Sequence, residues 1–386
     1  MPNHDFDIAI LGGGPAGSAL ALLLARQTRR PERIALLQSD ANTLYGHAPD
    51  VDPRVLALNQ GSRVMLEAVG GWPDEAAPIR TIHVSQRGRL GRAVIQNTDF
   101  SVPQLGSVVR YAGLHASLAH AVAASGVRVM TGPAARIDGQ DSQGVDLAQG
   151  DLVLRARVAV QADGSPTGPA LREYQQVALI TTARASQPRE GWAFERFTRE
   201  GPLAILPHPG GAGLQSVVWC SAPERAQALK ALTPVALSEA LTEAFGTRLG
   251  SLTIQAPVAA FPLTLNLRKD ITVGRTVAIG NALQTLHPVA GQGLNLGLRD
   301  TAMLAAALRQ WQTDPNADPS GALVQFARLR RPDRTLTAAL TDLLSRGFAT
   351  RCSAVDHLGG LALLALDLSP SLRAPLARHL LQGLRF

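Results

Sequence analysis

The chain has 386 residues, of which 46% are apolar and 17% charged, and this composition excludes several classes of protein. Disordered segments are poor in apolar residues, so we expect a folded chain, and at about 150 residues per domain its length suits two or three domains. Cys220 and Cys352 form at most one bridge, which excludes a disulfide scaffold and is typical of the reducing cytoplasm.

The positive charge comes almost entirely from arginine. The formal net charge is +7, and Lys230 and Lys269 are the only lysines. Because the arginines are scattered in short groups, we interpret them as solvated surface and expect no nucleic-acid partner. A basic surface also attracts anionic lipid headgroups, by about 1 kcal/mol for each nearby base. This leaves open a peripheral position at the inner face of the membrane.

The longest apolar stretches do not suit a targeting or membrane-spanning segment. Residues 8–25 follow Asp5 and Asp7 rather than a basic flank, and a glycine turn interrupts them. Residues 358–368 are too few to cross a bilayer, which takes about 20 residues. We therefore expect a cytoplasmic protein that is either soluble or peripheral.

A strand, a glycine turn and a helix follow one another at the start of the chain. The apolar run 7–11 favours a strand, and the Ala- and Leu-rich run 18–26 favours a helix. Between them, Gly12 allows a tight turn, Gly14 lets the backbone approach a pyrophosphate, and Gly17 lets the helix pack on the strand. This context predicts a dinucleotide site with the pyrophosphate on the helix N-terminus.

The end of the second strand departs from the usual pattern. Residues 33–37 favour a strand, and a βαβ dinucleotide site usually carries Asp or Glu directly after it, to accept hydrogen bonds from a ribose. Here the residue is Gln38, whose amide oxygen accepts a neutral and therefore weaker hydrogen bond. Asp40 is a second candidate for this role.

The middle of the chain contains further element signals and a second sheet. Two helices and three strands are expected at residues 61–69, 113–124, 79–84, 106–109 and 151–160. We interpret residues 176–263 as a second, sheet-based unit. Arg54, before the first of these helices, is either a surface arginine or a cation beside a phosphate or flavin. The strand at 151–160 leads into Asp163-Gly164, and such a pair usually marks only a turn.

The most specific segment follows a buried strand at residues 276–279. It contains Gly280-Asn281, a proline loop from His287 to Ala290, and a helix that begins through Gly291-Gln292-Gly293. Small residues at a helix start mark a place where the backbone meets a flat or anionic ligand. No second His, Cys or carboxylate stands at ligand spacing from His287, so we expect a loop-shaping residue and no metal.

This segment resembles a known family. The run H-P-V-A-G-Q-G-L-N-L-G-L-R-D, from His287 to Asp300, is similar to the signature of the ubiquinone-biosynthesis hydroxylases, within the FAD-dependent aromatic monooxygenases related to para-hydroxybenzoate hydroxylase. Other motifs resemble the same family in the same order, namely Asp52-Pro53-Arg54, Ala162-Asp163-Gly164, Glu195-Arg196-Phe197-Thr198 with Gly201-Pro202, and Thr341-Asp342.

The resemblance implies an oxidoreductase with FAD as cofactor and NAD(P)H as co-substrate. In that chemistry NAD(P)H reduces FAD, the flavin captures O2 as a hydroperoxide, and one oxygen atom is transferred to a polyprenylated phenol or quinone precursor in ubiquinone biosynthesis. The cofactor carries the reaction, and the protein supplies position and polarity. No catalytic side chain is assigned, but Pro288 and the loop Gly291 to Asn295 are expected beside the isoalloxazine ring.

The implied contacts come from the dinucleotide motif and from residues carried over one by one. They are Gly12, Gly14, Pro15, Ala16, Gly17, Gln38, Arg54, Arg110, Asp163, Gly280, Asn281, Pro288, Gly291, Gln292, Gly293, Leu294 and Asn295. Backbone N–H groups of the last five are expected to stabilise the negative charge of a reduced flavin.

The resemblance also implies an α/β fold of three parts. A Rossmann-like FAD-binding domain is expected from residues 1–80, 100–175 and 265–340, and an inserted, mixed β-sheet substrate domain from residues 81–99 and 176–264. A helical C-terminal segment is expected from residues 341–386. Its leucines and interspersed arginines suit an amphipathic tail, which packs on the body of the protein, on a second subunit or on a membrane.

Two departures from the family pattern support an alternative. The family usually has Asp at the position of Asn281 and an acidic residue at that of Gln38, so both changes replace a carboxylate by an amide. Each weakens cofactor binding by about 1 kcal/mol. The alternative to a working monooxygenase is therefore an accessory protein of the ubiquinone pathway with weakened or lost FAD binding, which contacts other proteins of that pathway. A third interpretation, independent of these departures, is a related hydroxylase or halogenase of a soluble aromatic compound.

Overall fold

The structure is a computed structural model. It describes residues 4–40, 52–89, 91–164 and 171–347, and scattered positions between 363 and 379. Most of the expected amphipathic tail therefore lies outside the described residues. None of the helices in the described part of the chain combines the length and the apolar composition that crossing a bilayer requires.

The described part of the chain forms strands and helices, with an unbroken series of strands from β8 to β15. The strands are β1 (Phe6–Leu11), β2 (Ile34–Ser39), β3 (Val55–Asn59), β4 (Ala77–Ile79), β5 (Thr81–Gln86), β6 (Arg92–Gln96), β7 (Gly106–Arg110), β8 (Arg128–Gly132), β9 (Arg136–Gln140), β10 (Val145–Gln149), β11 (Leu152–Gln161), β12 (Arg172–Ala185), β13 (Trp192–Phe197), β14 (Pro202–Pro207), β15 (Leu214–Ser221), β16 (Leu252–Ile254), β17 (Ala259–Leu267), β18 (Thr272–Val273), β19 (Thr276–Ala278) and β20 (Gln284–Thr285). The helices are α1 (Pro15–Ala25), α2 (Gln60–Ala68), α3 (Tyr111–Ala123), α4 (Pro223–Lys230), α5 (Pro234–Phe245), α6 (Gln292–Leu308) and α7 (Ser320–Gly347).

The first sheet places the ends of β1, β2 and β19 at one edge. Within the described residues it has eight strands, with the order β18-β19-β11-β1-β2-β8, with β10 paired to β11 and with β9 paired to β10. β1 pairs in parallel with β2 and β11, and β11 pairs in parallel with β19. Its central strands are buried on both faces, which explains their continuous apolar runs. Helices α1, α3, α6 and α7 contribute to the main core cluster on one face.

The second sheet is mixed. Its nine strands among the described residues have the order β20-β17-β12-β15-β14-β13-β5-β6, with β16 attached to β12. All of its pairs are antiparallel except β13 with β5. Helices α4 and α5 cover one face of this sheet with a second apolar cluster. A small antiparallel sheet, β3-β7-β4, packs against the β13–β14 end of the other face.

The observed elements differ from one expected strand and continue through two expected domain bounds. The expected strand at residues 79–84 is wrong as a single element, because β4 ends at Ile79 and β5 begins at Thr81 in a different sheet. Arg80 and Thr81 both donate backbone hydrogen bonds to the carbonyl of Gly191, at 2.7 and 3.0 Å, and this contact directs the chain into the second sheet. Positions 265 and 340, the expected bounds of the last segment of the FAD-binding domain, lie inside strand β17 and helix α7.

Candidate active site

The glycine turn leaves room above the start of α1. Gly12 has φ +117°, and a Cβ at Gly17 would lie 2.0 Å from the carbonyl oxygen of Gly12, so both positions require glycine. A Cβ at Gly14 would meet no atom within 4 Å. Gly14 caps the helix without a side-chain hydrogen bond, and the first turn, which begins at Pro15, has no acidic residue. Free N–H groups and open space fit the pyrophosphate of FAD.

Gln38 lies against this turn. Its Nε2 donates to Thr131 Oγ1 at 2.8 Å. Its Oε1 would lie 2.9 Å from a Cβ at Gly13. An acceptor oxygen therefore stands beside the glycine turn, as the ribose of a dinucleotide requires. Asp40 is exposed beyond the end of β2.

Asp163 and Gly280 join the turn from two neighbouring strands. A Cβ at Gly12 would lie 2.6 Å from the Cα of Asp163, whose side chain is exposed. Gly280 has φ +59°, and a Cβ there would lie 3.3 Å from the Cβ of Ala16. Asn281, next in the chain, is exposed. The structure thus brings these predicted residues together where β1, β11 and β19 end.

The loop before α6 has an unusual backbone. Ala290 has φ 60° and ψ 12°, and Gly291 caps the helix with φ 60° and ψ 32°. The Gly291 N–H donates to the carbonyl of Pro288 at 2.9 Å. A Cβ at Gly293 would meet no atom within 4 Å. The start of α6 therefore offers backbone groups next to open space, as the start of α1 does.

Two predicted residues of this helix point into the protein. The Leu294 side chain packs against the main core cluster, and Asn295 is buried. Asn295 Nδ2 donates to the carbonyls of Ala57 and Gly291, at 2.9 and 2.7 Å. Leu294 and Asn295 can therefore contact a cofactor through their backbone but not through their side chains. The side chain of Gln292 is likewise buried, and its Nε2 donates to the Ala290 carbonyl at 3.0 Å.

His287 supports the loop from within. It is fully buried, its Nε2 lies 3.0 Å from Oε1 of Gln176, and its Nδ1 accepts the N–H of Val289 at 3.2 Å. This pattern requires a neutral ring, and burial lowers the pKa of His287 to about 4. The ring also lies edge-on to Tyr174, with centroids 4.9 Å apart.

The two predicted arginines stand at one end of the small sheet, where Val55 pairs with Arg110. Arg54 forms an ion pair with Asp52, and its guanidinium lies 4.1 Å from the centroid of the Tyr111 ring. Arg110 is half-exposed, lies 3.6 Å from Glu75, and extends toward the backbone at Gly210. The structure places the two arginines near each other, and the carboxylate of Asp52 holds the Arg54 guanidinium.

Sequence reasoning missed three groups at this site. Asp300, fully buried, accepts the Gly280 N–H at 3.1 Å and the Arg330 guanidinium at 2.7 Å, which ties α6 to β19 and α7. His115 of α3 hydrogen-bonds to the backbone of Gly13. Glu195 of β13 accepts the N–H of Ala290. Glu195 and Asp300 lie in motifs that the sequence shows, but the sequence does not show which distant groups their side chains contact, and His115 has no local signal.

Comparison with known proteins identifies the family. A family model described as an FAD binding domain matches residues 5–318. The chain belongs to this family. It is 30% identical to the ubiquinone hydroxylase UbiL of Rhodospirillum rubrum, over 98% of this chain and 90% of that protein. It is 28% identical to the 3-demethoxyubiquinol 3-hydroxylase of Escherichia coli, over 95% of this chain and 96% of that protein.

Solved structures share the fold. The p-nitrophenol 4-monooxygenase PnpA of Pseudomonas putida has a TM-score of 0.75 and 15% identity, with full coverage of both chains. PqsL of Pseudomonas aeruginosa, a probable FAD-dependent monooxygenase, has a TM-score of 0.73 and 20% identity over 93% of this chain and all of that one. The expected α/β fold and the resemblance to the ubiquinone-biosynthesis hydroxylases are confirmed. The chain is a member of the FAD-dependent monooxygenases.

Proposed function

We propose that this protein hydroxylates a polyprenylated phenol ring in ubiquinone biosynthesis, with FAD as cofactor and with NAD(P)H and O2 as co-substrates. The names and full-length coverage of its relatives support the pathway. The observation that carries the proposal is the placement of α6 and the loop before it. Helix α6 packs on Gly280 and on Ala16, next to the glycine turn, and Ala290 of the loop contacts Glu195 of the second sheet. Bound FAD, once reduced, supplies the activation of O2 and the transfer of one oxygen atom.

The chain's own residues would bind and orient the cofactor. The N–H groups at the start of α1 would hold the pyrophosphate, and the amide oxygen of Gln38 would accept a ribose hydroxyl. Arg54, Arg110, Asp163 and Asn281 are further proposed contacts. Pro288 and the backbone from Gly291 to Asn295 would line the isoalloxazine ring. The N–H groups at the start of α6 would stabilise negative charge on the reduced ring.

The second sheet offers a wall for an apolar substrate. The face away from α4 and α5, beyond the part that the small sheet covers, carries partly exposed aliphatic side chains, namely Val84, Ile180, Ala204 and Val218. Such a wall binds an apolar ring and its tail and keeps water from the reacting atoms. We therefore propose that the substrate lies between this face and the 288–293 loop.

The test is direct. The purified protein should be yellow, and it should oxidise NAD(P)H faster when a short-tailed prenylated phenol is added. Mass spectrometry should then show a product heavier by one oxygen atom. Colourless protein that forms no hydroxylated product after FAD is added would overturn the proposal.

A second candidate function rests on Gln38 and Asn281. Both side chains are amides, so the site would hold FAD with fewer charged groups than the family pattern provides. The Gln38 amide also donates to Thr131 Oγ1. A protein that binds FAD too weakly would serve as an accessory subunit beside other enzymes of the pathway. One FAD per chain after purification would exclude this alternative.

The relatives' substrates also bear on location. A polyprenylated substrate dissolves in the membrane, so we propose that the protein works from the cytoplasm as a peripheral protein at the inner face. Its net charge of +7 would favour an anionic surface. Sedimentation with vesicles that contain anionic lipid, and release by salt, would support this location. Equal recovery with neutral and anionic vesicles would argue against it.

A further inference from the structure

Glu195 holds an unusual position on the second sheet. Successive side chains of a strand point to opposite faces, so Phe194, which packs edge-on against Phe245 under α5 with centroids 5.4 Å apart, directs Glu195 to the other face. Glu195 pairs with Val84 on one side and Ala204 on the other. Among the side chains that β5, β13, β14 and β15 present to this face, Glu195 is the one acidic group.

The carboxyl of Glu195 contacts the loop of the proposed flavin site. The backbone N–H of Ala290 donates to it, and Ala290 lies between Pro288 and Gly291. Ala290 has a left-handed conformation, with φ 60° and ψ 12°. Glu195 is partly buried. Because it contacts Ala290, it stands where the apolar wall meets the loop.

The surroundings of Glu195 favour a carboxyl that exchanges protons near neutral pH. Burial raises the pKa of Glu195 to about 7, and the Ala290 N–H opposes this shift. The titratable group that faces it from β15 is Cys220, whose thiol stays neutral because burial raises its pKa. The facing residues of β5 and β14, Val84 and Ala204, carry no charge. Within the described residues, no Lys or Arg forms an ion pair with Glu195.

The other titratable groups near the loop are hydrogen-bonded or buried. His287 has one ring nitrogen near Gln176 Oε1 and accepts the Val289 N–H with the other. Cys220 shares the face of Glu195 but is buried. Glu195 is therefore the group beside the loop that is both accessible from the substrate face and able to change its charge.

We propose that Glu195 is the acid–base group that binds the ring hydroxyl of the phenol substrate and takes its proton, an assignment that rests on the proposed function. The hydroxyl O–H bond breaks, the proton moves to a carboxylate oxygen of Glu195, and the electron pair stays on the ring oxygen. The resulting phenolate has a more electron-rich ring for oxygen transfer. After transfer, the ring carbon that gained the oxygen loses its proton to solvent, the proton held by Glu195 returns to the ring oxygen, and the aromatic ring and the carboxylate are restored.

The first experiment compares Glu195→Gln with the wild type and with Glu200→Gln, a matched control on the exposed turn after β13 that removes an ion pair with Arg225. We expect all three proteins to retain FAD and to be reduced by NAD(P)H at similar rates. Hydroxylation of a short-tailed prenylated phenol should fall about 100-fold or more in Glu195→Gln only. The wild-type rate should rise with pH through an apparent pKa near 7.

Two further measurements separate an acid–base role from a structural one. Glu195→Asp should recover part of the rate. A ring-fluorinated phenol, which is already ionised at pH 8, should reduce the Glu195→Gln defect to about tenfold or less. A defect that stays the same with the fluorinated phenol, or a wild-type pH profile unchanged in Glu195→Gln, would overturn the proposal.

A readout without turnover distinguishes this proposal from the proposed function. Infrared difference spectra of the oxidised holoprotein should show the shift of a carboxylate band when the prenylated phenol is added at pH 8, because the ionised carboxylate accepts a hydrogen bond from the ring hydroxyl, and Glu195→Gln should lack this signal. A phenol that binds without the signal overturns the role of Glu195, whatever the reaction. Wild type that shows the signal but forms no hydroxylated product overturns the proposed function and leaves Glu195 supported as the phenol's proton acceptor.

Discussion

The side-chain oxygen of Asn295 accepts a hydrogen bond from the backbone N–H of Asn59 at 2.9 Å, although 236 positions separate the two residues. The same oxygen accepts the Ser62 hydroxyl at 2.8 Å. With its Nδ2 bonds to Ala57 and Gly291, Asn295 satisfies donors and acceptors on both sides. It thereby holds the start of α6, and the loop before it, against β3 and α2.

Asn295→Asp should weaken FAD binding by about tenfold to 100-fold. The substitution keeps the acceptor but replaces the Nδ2 donor with an oxygen that faces two carbonyls, and leaving buried partners unsatisfied costs about 1–3 kcal/mol. Titration of the apoprotein with FAD checks the effect. The control Asn316→Asp, at an exposed position that accepts a bond from Arg157, should bind FAD like the wild type. Equal affinity in both variants would contradict the role of Asn295.

Gly14 and Gly17 should respond differently to alanine. A Cβ at Gly14 meets no atom of the protein, so Gly14→Ala should keep its melting temperature as apoprotein and lose FAD affinity, because the methyl group enters the cofactor's space. A Cβ at Gly17 would lie 2.0 Å from the Gly12 carbonyl oxygen, so Gly17→Ala should unfold at lower temperature even without FAD. Calorimetry of the two apoproteins checks this contrast. A Gly14→Ala protein that binds FAD normally would place the pyrophosphate elsewhere.

Restoring the carboxylates should strengthen cofactor binding. Gln38→Glu and Asn281→Asp should each lower the Kd for FAD about fivefold, because a charge-assisted hydrogen bond exceeds a neutral one by about 1 kcal/mol. The exposed position Gln310→Glu provides a control for added charge. Fluorescence titration measures all three. Unchanged affinity in both variants would show that neither amide contacts the cofactor.

The pair of Asp300 and Arg330 should contribute strongly to stability. Both side chains are almost fully buried, at 0% and 1% exposed, and their atoms lie 2.7 Å apart. Arg330 also pairs with Asp333, so removing Asp300 leaves the buried cluster short of one carboxylate, and breaking a buried pair costs about 3–5 kcal/mol. We expect Asp300→Asn to lower the free energy of unfolding in urea by that amount. Asp151→Asn, at an exposed position, should change it little, and a similar loss in both variants would contradict this reasoning.

The loop should lose stability on acidification. The pKa of His287 is lowered by burial from 6.5 to about 4, so the folded state favours the neutral ring. This contribution is fully present above pH 6.5 and is lost as the pH falls toward 4. The wild type should therefore release FAD more readily over this range than above it. His287→Gln should flatten the pH dependence, whereas the exposed control His120→Gln should retain it.

Sequence reasoning performed best where the signal was local. The strand, glycine turn and helix of residues 6–25 are present as expected, because each is specified by its own apolar period and by glycines at fixed spacing. The loop from His287 to Asn295 is likewise encoded in one continuous run. The expected strand at 79–84 failed because the exchange of sheets at Arg80 depends on Gly191, 111 positions later. The residue bounds of the domains and the individual cofactor contacts stay predictions.

The sequence by itself determined the family and the strand, glycine turn and helix at the start of the chain, since these features depend on short segments whose conformation follows from neighbouring residues. Only the tertiary structure decided that Asn295 joins α6 to β3, that Asp300 joins β19 to α7, and that Glu195 faces Ala290. These contacts depend on which strands pair and which face each one buries. A strand's own residues determine its alternation, but its neighbours in the sheet determine which side becomes the wall of a site.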